Sequence, residues 1–349
     1  MKNTITALAL AVFTAGIAHA QTAPAPVAVA VPSSDISVSG RFSWEAKNVF
    51  RGKERSSTDG LIQSTVTVES AVPGFAGVSA YVSYFSADNF ERTLNIGGRT
   101  FELHHARGET DDHTWAWVPD TKAVVVGDLF IWQFPNAGNP QKVQRFAWEW
   151  AVALRAMAAK QPELMLPAHG MAIGGKERVG MVLTDTAAAL ESLHEQTLAL
   201  MNSGARLDDV IHQVRLPQEL ADKPFLKPTY DEPEFVVRNL WRLYGGWYDG
   251  NPANLKPATE VALATEMAAL AGGSEALAAR AEELANAGDF RLACHLIEMA
   301  ATATPDSRRI HEIRAAIYTE RRKIETSFMA TGIYRSAALD SKARIEELS

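Results

Sequence analysis

Three short stretches put metal-ligating residue types at the ends of apolar runs. The first is His104-His105-Ala106-Arg107-Gly108-Glu109-Thr110-Asp111-Asp112-His113. In the second, Val124-Val125-Val126 runs into Gly127-Asp128, and in the third, Leu164-Met165-Leu166 runs into Pro167-Ala168-His169-Gly170. A buried strand that stops at Asp or His beside a glycine delivers a polar group to a sheet edge, where open α/β sheets place their ligands. Carboxylate and imidazole together suit a hard-to-borderline cation such as zinc. Taken singly, a strand-end histidine is usually a surface residue and a Gly-Asp pair usually a turn. The order and spacing of the three favour one shared site built from Glu109, Asp128 and His169.

The elements that must position these groups follow from periodicity. Arg99 to His105 reads as a strand, and Thr114–Val118 with Ala123–Val126 as a hairpin around Pro119-Asp120-Thr121-Lys122. Lys142 to Lys160 is expected to be helical, since Phe146, Trp150, Leu154 and Met157 recur at spacings of four, four and three. Trp148 lies off that face. Glu163 to Pro167 is the next strand. Between them, Phe134-Pro135-Asn136-Ala137-Gly138-Asn139-Pro140 has the Gly and Pro content of a loop, and a loop beside a site is a natural substrate contact. Turn chemistry explains its asparagines nearly as well.

From Lys176 on, the pattern is helical. Met181 to Asn202 has few breakers, and Pro233 opens a helix at its preferred first-turn position. The expected apolar stripe of that helix is Val236, Val237, Leu240, Leu243, Tyr244 and Trp247. Ala262–Leu270, Ala276–Ala287 and Phe290–Ala303 follow, and the last units, running into Ile310–Ile324, have a tetratricopeptide-like look.

On these residues the chain from about Thr93 resembles the alkyl sulfatase branch of the metallo-β-lactamase superfamily. The resemblance rests on Glu102 through Trp115, Val126-Gly127-Asp128, Pro167-Ala168-His169-Gly170, Glu232 through Trp241, and Tyr244-Gly245-Gly246-Trp247-Tyr248-Asp249-Gly250-Asn251-Pro252. It implies an α/β fold: a partial αββα metallo-β-lactamase-like sandwich over residues 91–175, then an all-α helical dimerisation domain over 176–349. It further implies Glu109, Asp128 and His169 as ligands of a two-zinc centre, and residues near Asn136 and Asn139 as sulfate contacts. The partners it implies are an alkyl sulfate ester and a second copy of the chain. In a complete relative, two metals about 3.5–4 Å apart clamp a hydroxide and the ester oxygens. One departure is plain. The superfamily's leading motif, His-x-His-x-Asp-His, has no counterpart in residues 1–100, whose one histidine is His19.

The N-terminal part reads differently. Met1 to Ala20 has the positive start, apolar stretch and small-x-small end (Ala18-His19-Ala20) of a secretory signal, so an exported, periplasmic or outer-membrane-associated protein is expected. Gln21 to Ser34 reads as an Ala/Pro linker. Residues 35–90 form a short β-rich segment in which Ile36, Val38, Gly40, Phe42 and Trp44 alternate with polar residues. Trp44 through Gly52 resembles the opening strand of a small bacterial porin-like family. A soluble antiparallel meander fits the alternation about as well. Three or four strands are too few to close a membrane barrel, which needs about eight. The change of character near Asn89–Thr93 looks like a join.

With 349 residues, 47% hydrophobic and 21% charged, the chain is ordinary for a globular protein of more than one folded unit. A net charge of −7 argues against a nucleic-acid surface. A single cysteine, Cys294, excludes an internal disulfide and reads as a buried structural thiol. Two functions are expected from different classes. One is a zinc-dependent hydrolase of alkyl sulfate esters, catalytically incomplete in this chain. The other is a non-catalytic dimerisation or scaffold module fused to a porin-like fragment.

Overall fold

The computed structural model describes residues 92–349 throughout and, before them, only the backbone of five strands. These are β1 (Val27–Val29), β2 (Ile36–Glu45), β3 (Val49–Phe50), β4 (Lys53–Glu54) and β5 (Leu61–Ser70). The expected signal over 1–20 and most of the expected linker lie outside the described residues. β2 and β5 pair antiparallel over their full length, from Ile36 opposite Ser70 to Glu45 opposite Leu61, and β1 pairs with the other edge of β2. The chain divides into two compact units, residues 1–89 and 90–349.

The second unit begins with a six-stranded sheet. Its strands are β6 (Arg92–Ile96), β7 (Arg99–Ala106), β8 (His113–Val118), β9 (Ala123–Gly127), β10 (Leu164–Pro167) and β11 (Ile173–Gly174). They lie in the order β11-β10-β9-β8-β7-β6, antiparallel throughout except for the parallel pair β9–β10. A parallel pair needs a crossover. Here it is made by α1 (Ala147–Ala159), which covers one face of the sheet. Trp150, Leu154 and Met157 are wholly buried on that helix, in one core with Trp115, Trp117, Val124, Val126 and Met165 from the strands.

α1 starts five residues later than Lys142, where the periodicity places it. Backbone groups of Arg145 are taken by the Asn239 side chain, and the Phe146 N–H goes to Gly108 O at 3.0 Å. These partners keep 144–146 out of the helix until the first free turn. α2 (Lys176–Asn202) packs on α1. α3 (Leu207–Gln213), α4 (Gln218–Ala221) and α5 (Pro233–Gly245) complete the same core with Val210, Ile211, Val236, Val237 and Leu240. Pro233 does open α5.

The expected stripe of α5 holds only in its first half. Val236, Val237 and Leu240 are buried together with Trp241, whereas Tyr244 is 47% and Trp247 70% exposed. The helix stops at Gly245, and the Trp241 indole N–H donates to Tyr248 O at 2.9 Å, so the chain doubles back before Trp247 can reach the core.

The last five helices are α6 (Glu260–Ala271), α7 (Ser274–Asn286), α8 (Phe290–Ala303), α9 (Arg308–Lys323) and α10 (Phe328–Glu347). They pack around a second core of small and β-branched residues, with Ala278, Ala281, Ala293, Ile297, Ala300 and Ile310 fully buried. Small residues let helix axes approach closely. Thr259, Asp289, Ser307 and Ser327 cap α6, α8, α9 and α10 through side-chain oxygens that accept from the first turn. Cys294 is a free, half-buried thiol, and burial raises its pKa.

The start of α10 is stitched back onto the segment before α5. Phe328 N–H donates to Thr229 O at 2.9 Å, and the Ser327 hydroxyl donates to Tyr230 O at 2.9 Å. The Thr326 hydroxyl donates to Pro228 O at 3.0 Å.

Candidate active site

Asp128 and His169 leave the parallel strands β9 and β10 at the same end. The pairing runs Val125 opposite Leu166, then shifts so that Gly127 faces Pro167, and Ala168 N–H donates to Gly127 O at 3.1 Å. This places His169 Nε2 3.2 Å from Asp128 Oδ1. The contact is not an aligned hydrogen bond, because Oδ1 is buried without a hydrogen-bond partner. His169 is largely exposed. His113 sits at the same edge. A Cβ at Gly127, whose φ is +56°, would lie 2.9 Å from His113 Nε2, so glycine is needed there on both counts. His113 Nε2 lies 3.2 Å from Val126 O. A carbonyl only accepts, so Nε2 carries the proton. Burial lowers the His113 pKa, with the Val126 carbonyl and the Asp128 and Asp112 carboxylates pulling the other way.

Glu109 is held in a second cluster. Its Oε1 accepts from Asn136 Nδ2 at 2.7 Å and lies 2.6 Å from the Arg145 guanidinium Nη1. Asn139 Nδ2 in turn donates to Asn136 Oδ1 at 3.2 Å. Both asparagines are buried, so their amides serve the loop from inside.

Below the loop sits Asp231, wholly buried. Its Oδ2 accepts from the N–H groups of Gly138 (2.6 Å) and Asn139 (3.0 Å), and its Oδ1 from Glu232 N–H (2.9 Å). Burial raises its pKa, and the three N–H donors pull the other way. Asn239 closes the network, donating to Ala137 O at 3.0 Å and Arg145 O at 2.8 Å. Gly138 packs so tightly on α5 that a Cβ would meet the Phe235 carbonyl carbon at 2.3 Å.

Sequence patterning expects Glu109, Asp128 and His169 around one cation. The structure brings Asp128 and His169 together, while the nearest partners of Glu109 Oε1 are Arg145 and Asn136. Among the described residues, no group of three or more His, Cys, Asp and Glu side chains is placed to hold a metal ion. Zinc takes three or four protein donors, so the residues as arranged do not fit a two-metal centre. Arg145, Asp231, Asn239 and His113 are the residues that sequence reasoning passed over. Asn239 left a signal as a polar residue inside the apolar stripe of α5, and His113 as the end of the first stretch of ligating residue types.

Residues 206–343 match the family described as alkyl sulfatase dimerisation. A linear primary-alkylsulfatase of Pseudomonas sp. (strain ATCC 19151) is 26% identical over 277 residues, which is 77% of this chain and 52% of the relative. An (R)-specific secondary-alkylsulfatase of Pseudomonas sp. is 29% identical over 204 residues, 57% of this chain and 31% of the relative. The solved structure of a stereoselective inverting sec-alkylsulfatase from Pseudomonas sp. superposes with a TM-score of 0.68 at 23% identity, covering 72% of this chain and 40% of that one. The chain thus spans about half or less of the length of each.

Proposed function

We propose, on the premise that the chain from about Thr93 onward belongs to the alkyl sulfatase family, that it supplies the C-terminal side of a centre for hydrolysing sulfate esters of alkyl chains. The observation that carries this reading is the Asp128–His169 pair, set side by side by the parallel ends of β9 and β10, with a buried carboxylate oxygen lacking a hydrogen bond. An unsatisfied buried carboxylate oxygen is costly, and such atoms mark sites that receive a proton or cation. In this reading Asp128, His169 and, once released from Arg145, Glu109 are donors toward zinc. The loop held by Asn136 and Asn139 borders the substrate. A sulfate monoester is anionic, and the buried Arg145 guanidinium, now paired with Glu109, would face it with positive charge once Glu109 turns to a cation. The helices within 206–343 would join two copies as a homodimer, and export to the periplasm or outer membrane follows from the leader-like start.

A second reading has its own support. The family match covers the dimerisation helices, and among the described residues the strand ends bring only two candidate donors together. On that ground the chain alone is a non-catalytic module. Both readings meet in one experiment on the purified full-length chain, with zinc measured by elemental analysis and inorganic sulfate released from dodecyl sulfate measured over time. The expected result is fewer than two zinc ions per chain and no turnover. Two zinc ions per chain, or turnover abolished by Glu109→Ala, would show a complete centre and overturn the incompleteness argued here.

A further inference from the structure

We propose that the stitch joining the start of α10 to the segment before α5 is a pH-sensitive latch, closed while the Glu232 carboxyl is protonated and loosened when it ionises, and that its state is passed on to the loop carrying Asn136 and Asn139. The device is the same whichever reaction that loop borders.

Four carboxyl groups meet at the stitch. Asp231, Glu232 and Glu234 come from the start of α5, and Glu325 from the turn between α9 and α10. The cations around them are already committed. Arg291 of α8 pairs with Glu234 at 2.6 Å, and Arg238 of α5 reaches the same carboxylate at 3.5 Å. Arg321 of α9 pairs with Glu325 at 2.5 Å and lies over the Tyr334 ring of α10. Arg145, which faces Asp231 from the site, lies 2.6 Å from Glu109. Asp231 itself is held by its three N–H donors. Glu232 has no such partner. Among the described residues it forms no ion pair, and at the N-cap of α5 its side chain takes no hydrogen bond from the helix. When it ionises, a half-buried negative charge is added beside three other carboxyl groups, with Arg291 pulling the other way.

That charge falls where it can act on the stitch. Glu232 stands two residues after Tyr230, and Glu325 one before Thr326, so the two flank its hydrogen bonds. These run from the Thr326 and Ser327 hydroxyls to Pro228 O and Tyr230 O, and from the N–H groups of Phe328 and Met329 to Thr229 O and Tyr230 O. Repulsion between the two carboxylates is relieved by parting the two segments. Burial, then Glu325, Glu234 and Asp231, raise the Glu232 pKa to about 7. The closed latch therefore holds the proton more tightly than the open one, in which the carboxyl meets water near its ordinary 4.5. Closure is fully favoured below that ordinary value and is lost as pH rises through about 7. Two contacts lead onward to the loop. Asp231 Oδ1 accepts the Glu232 N–H while its Oδ2 accepts those of Gly138 and Asn139. Asn139 Nδ2 lies 3.9 Å from Met329 Sδ, in the first turn of α10. Both sides of the stitch thus touch the same loop.

The test is amide hydrogen exchange of the full chain at pH 6 and pH 8, followed by mass spectrometry and corrected for the intrinsic rate at each pH. A pKa of about 7 when closed against 4.5 when open makes opening about tenfold more frequent at pH 8, and solvent screening brings the expected change to about fivefold. Peptides covering 326–332 and 136–141 should lose protection by that factor, while a peptide from α7, covering 277–284, should not change. The parent chain gives this result without any substitution. In Glu232→Gln, uncharged at both pH values and checked for folding by circular dichroism, the two peptides should keep at pH 8 the protection they have at pH 6. Protection of 326–332 that is the same at both pH values in the parent would overturn the latch, and so would a pH dependence that survives Glu232→Gln. A stitch that loosens while 136–141 stays protected would overturn its link to the loop.

Discussion

Asp231→Ala tests whether the buried network really sets the loop beside the strand ends. The carboxylate is wholly buried and accepts three backbone N–H groups, from Gly138, Asn139 and Glu232. Alanine leaves all three without an acceptor. Each unsatisfied buried N–H costs about 1–3 kcal/mol. Relief from burying the carboxylate itself returns part of that, so a net loss of about 3–5 kcal/mol is expected. For a unit of this size, each kcal/mol moves the melting temperature by roughly 2–4 °C. Thermal unfolding followed by tryptophan fluorescence should therefore show the second unit melting about 6–20 °C lower. Asp231→Asn keeps one acceptor oxygen for Gly138 and Asn139 and turns an amide against Glu232 N–H, so about half the loss is expected. An alanine variant that melts within about 2 °C of the parent would refute the account, because three orphaned donors cannot be that cheap.

Two further predictions concern the same region. Gly138→Ala forces a Cβ against the Phe235 backbone and should cost about 3 kcal/mol or more, whereas Gly180→Ala, in α2 with open space around it, should gain about 0.5–1 kcal/mol; urea titration of both variants checks the contrast. Glu232 has its pKa raised to about 7, by burial first and then by Glu325, Glu234 and Asp231. A raised folded-state pKa means stability that is present below the unfolded value of 4.5 and lost as pH rises through about 7. Glu232→Gln should accordingly be neutral near pH 4.5 and stabilising at pH 8, by about 1 kcal/mol after allowing for solvent screening, as read from melts at the two pH values.

Local pattern carried much of the second unit. Trp150, Leu154 and Met157, at spacings of four and three, gave α1 its buried face, though Phe146 falls just before the helix, and the turn at Pro119–Lys122 gave the β8–β9 hairpin. Pro233 marked the start of α5. The strand-end positions of Asp128 and His169 were legible for the same reason, since an apolar run that stops at a polar residue names its own edge. What was not legible lies in contacts across long separations. Asp231 meets Gly138 across 93 positions, and Asn239 meets Arg145 across 94. No window of sequence contains both partners, so these residues looked like ordinary turn and helix residues. Periodicity also overran at Tyr244 and Trp247, because it cannot see that Gly245 and Gly246 turn the chain away. The expected boundary at residue 175 falls between β11 and α2, elements that share one core.

The stitch between Pro228–Tyr230 and Thr326–Phe328 has a mechanical meaning. Helices α6 to α9 leave the first core after α5 and are brought back to it at Ser327, 97 positions from Tyr230. A module hung from one end swings like a gate. One fastened at both ends cannot, and helices α6 to α9 are held as a loop closed on the segment before α5.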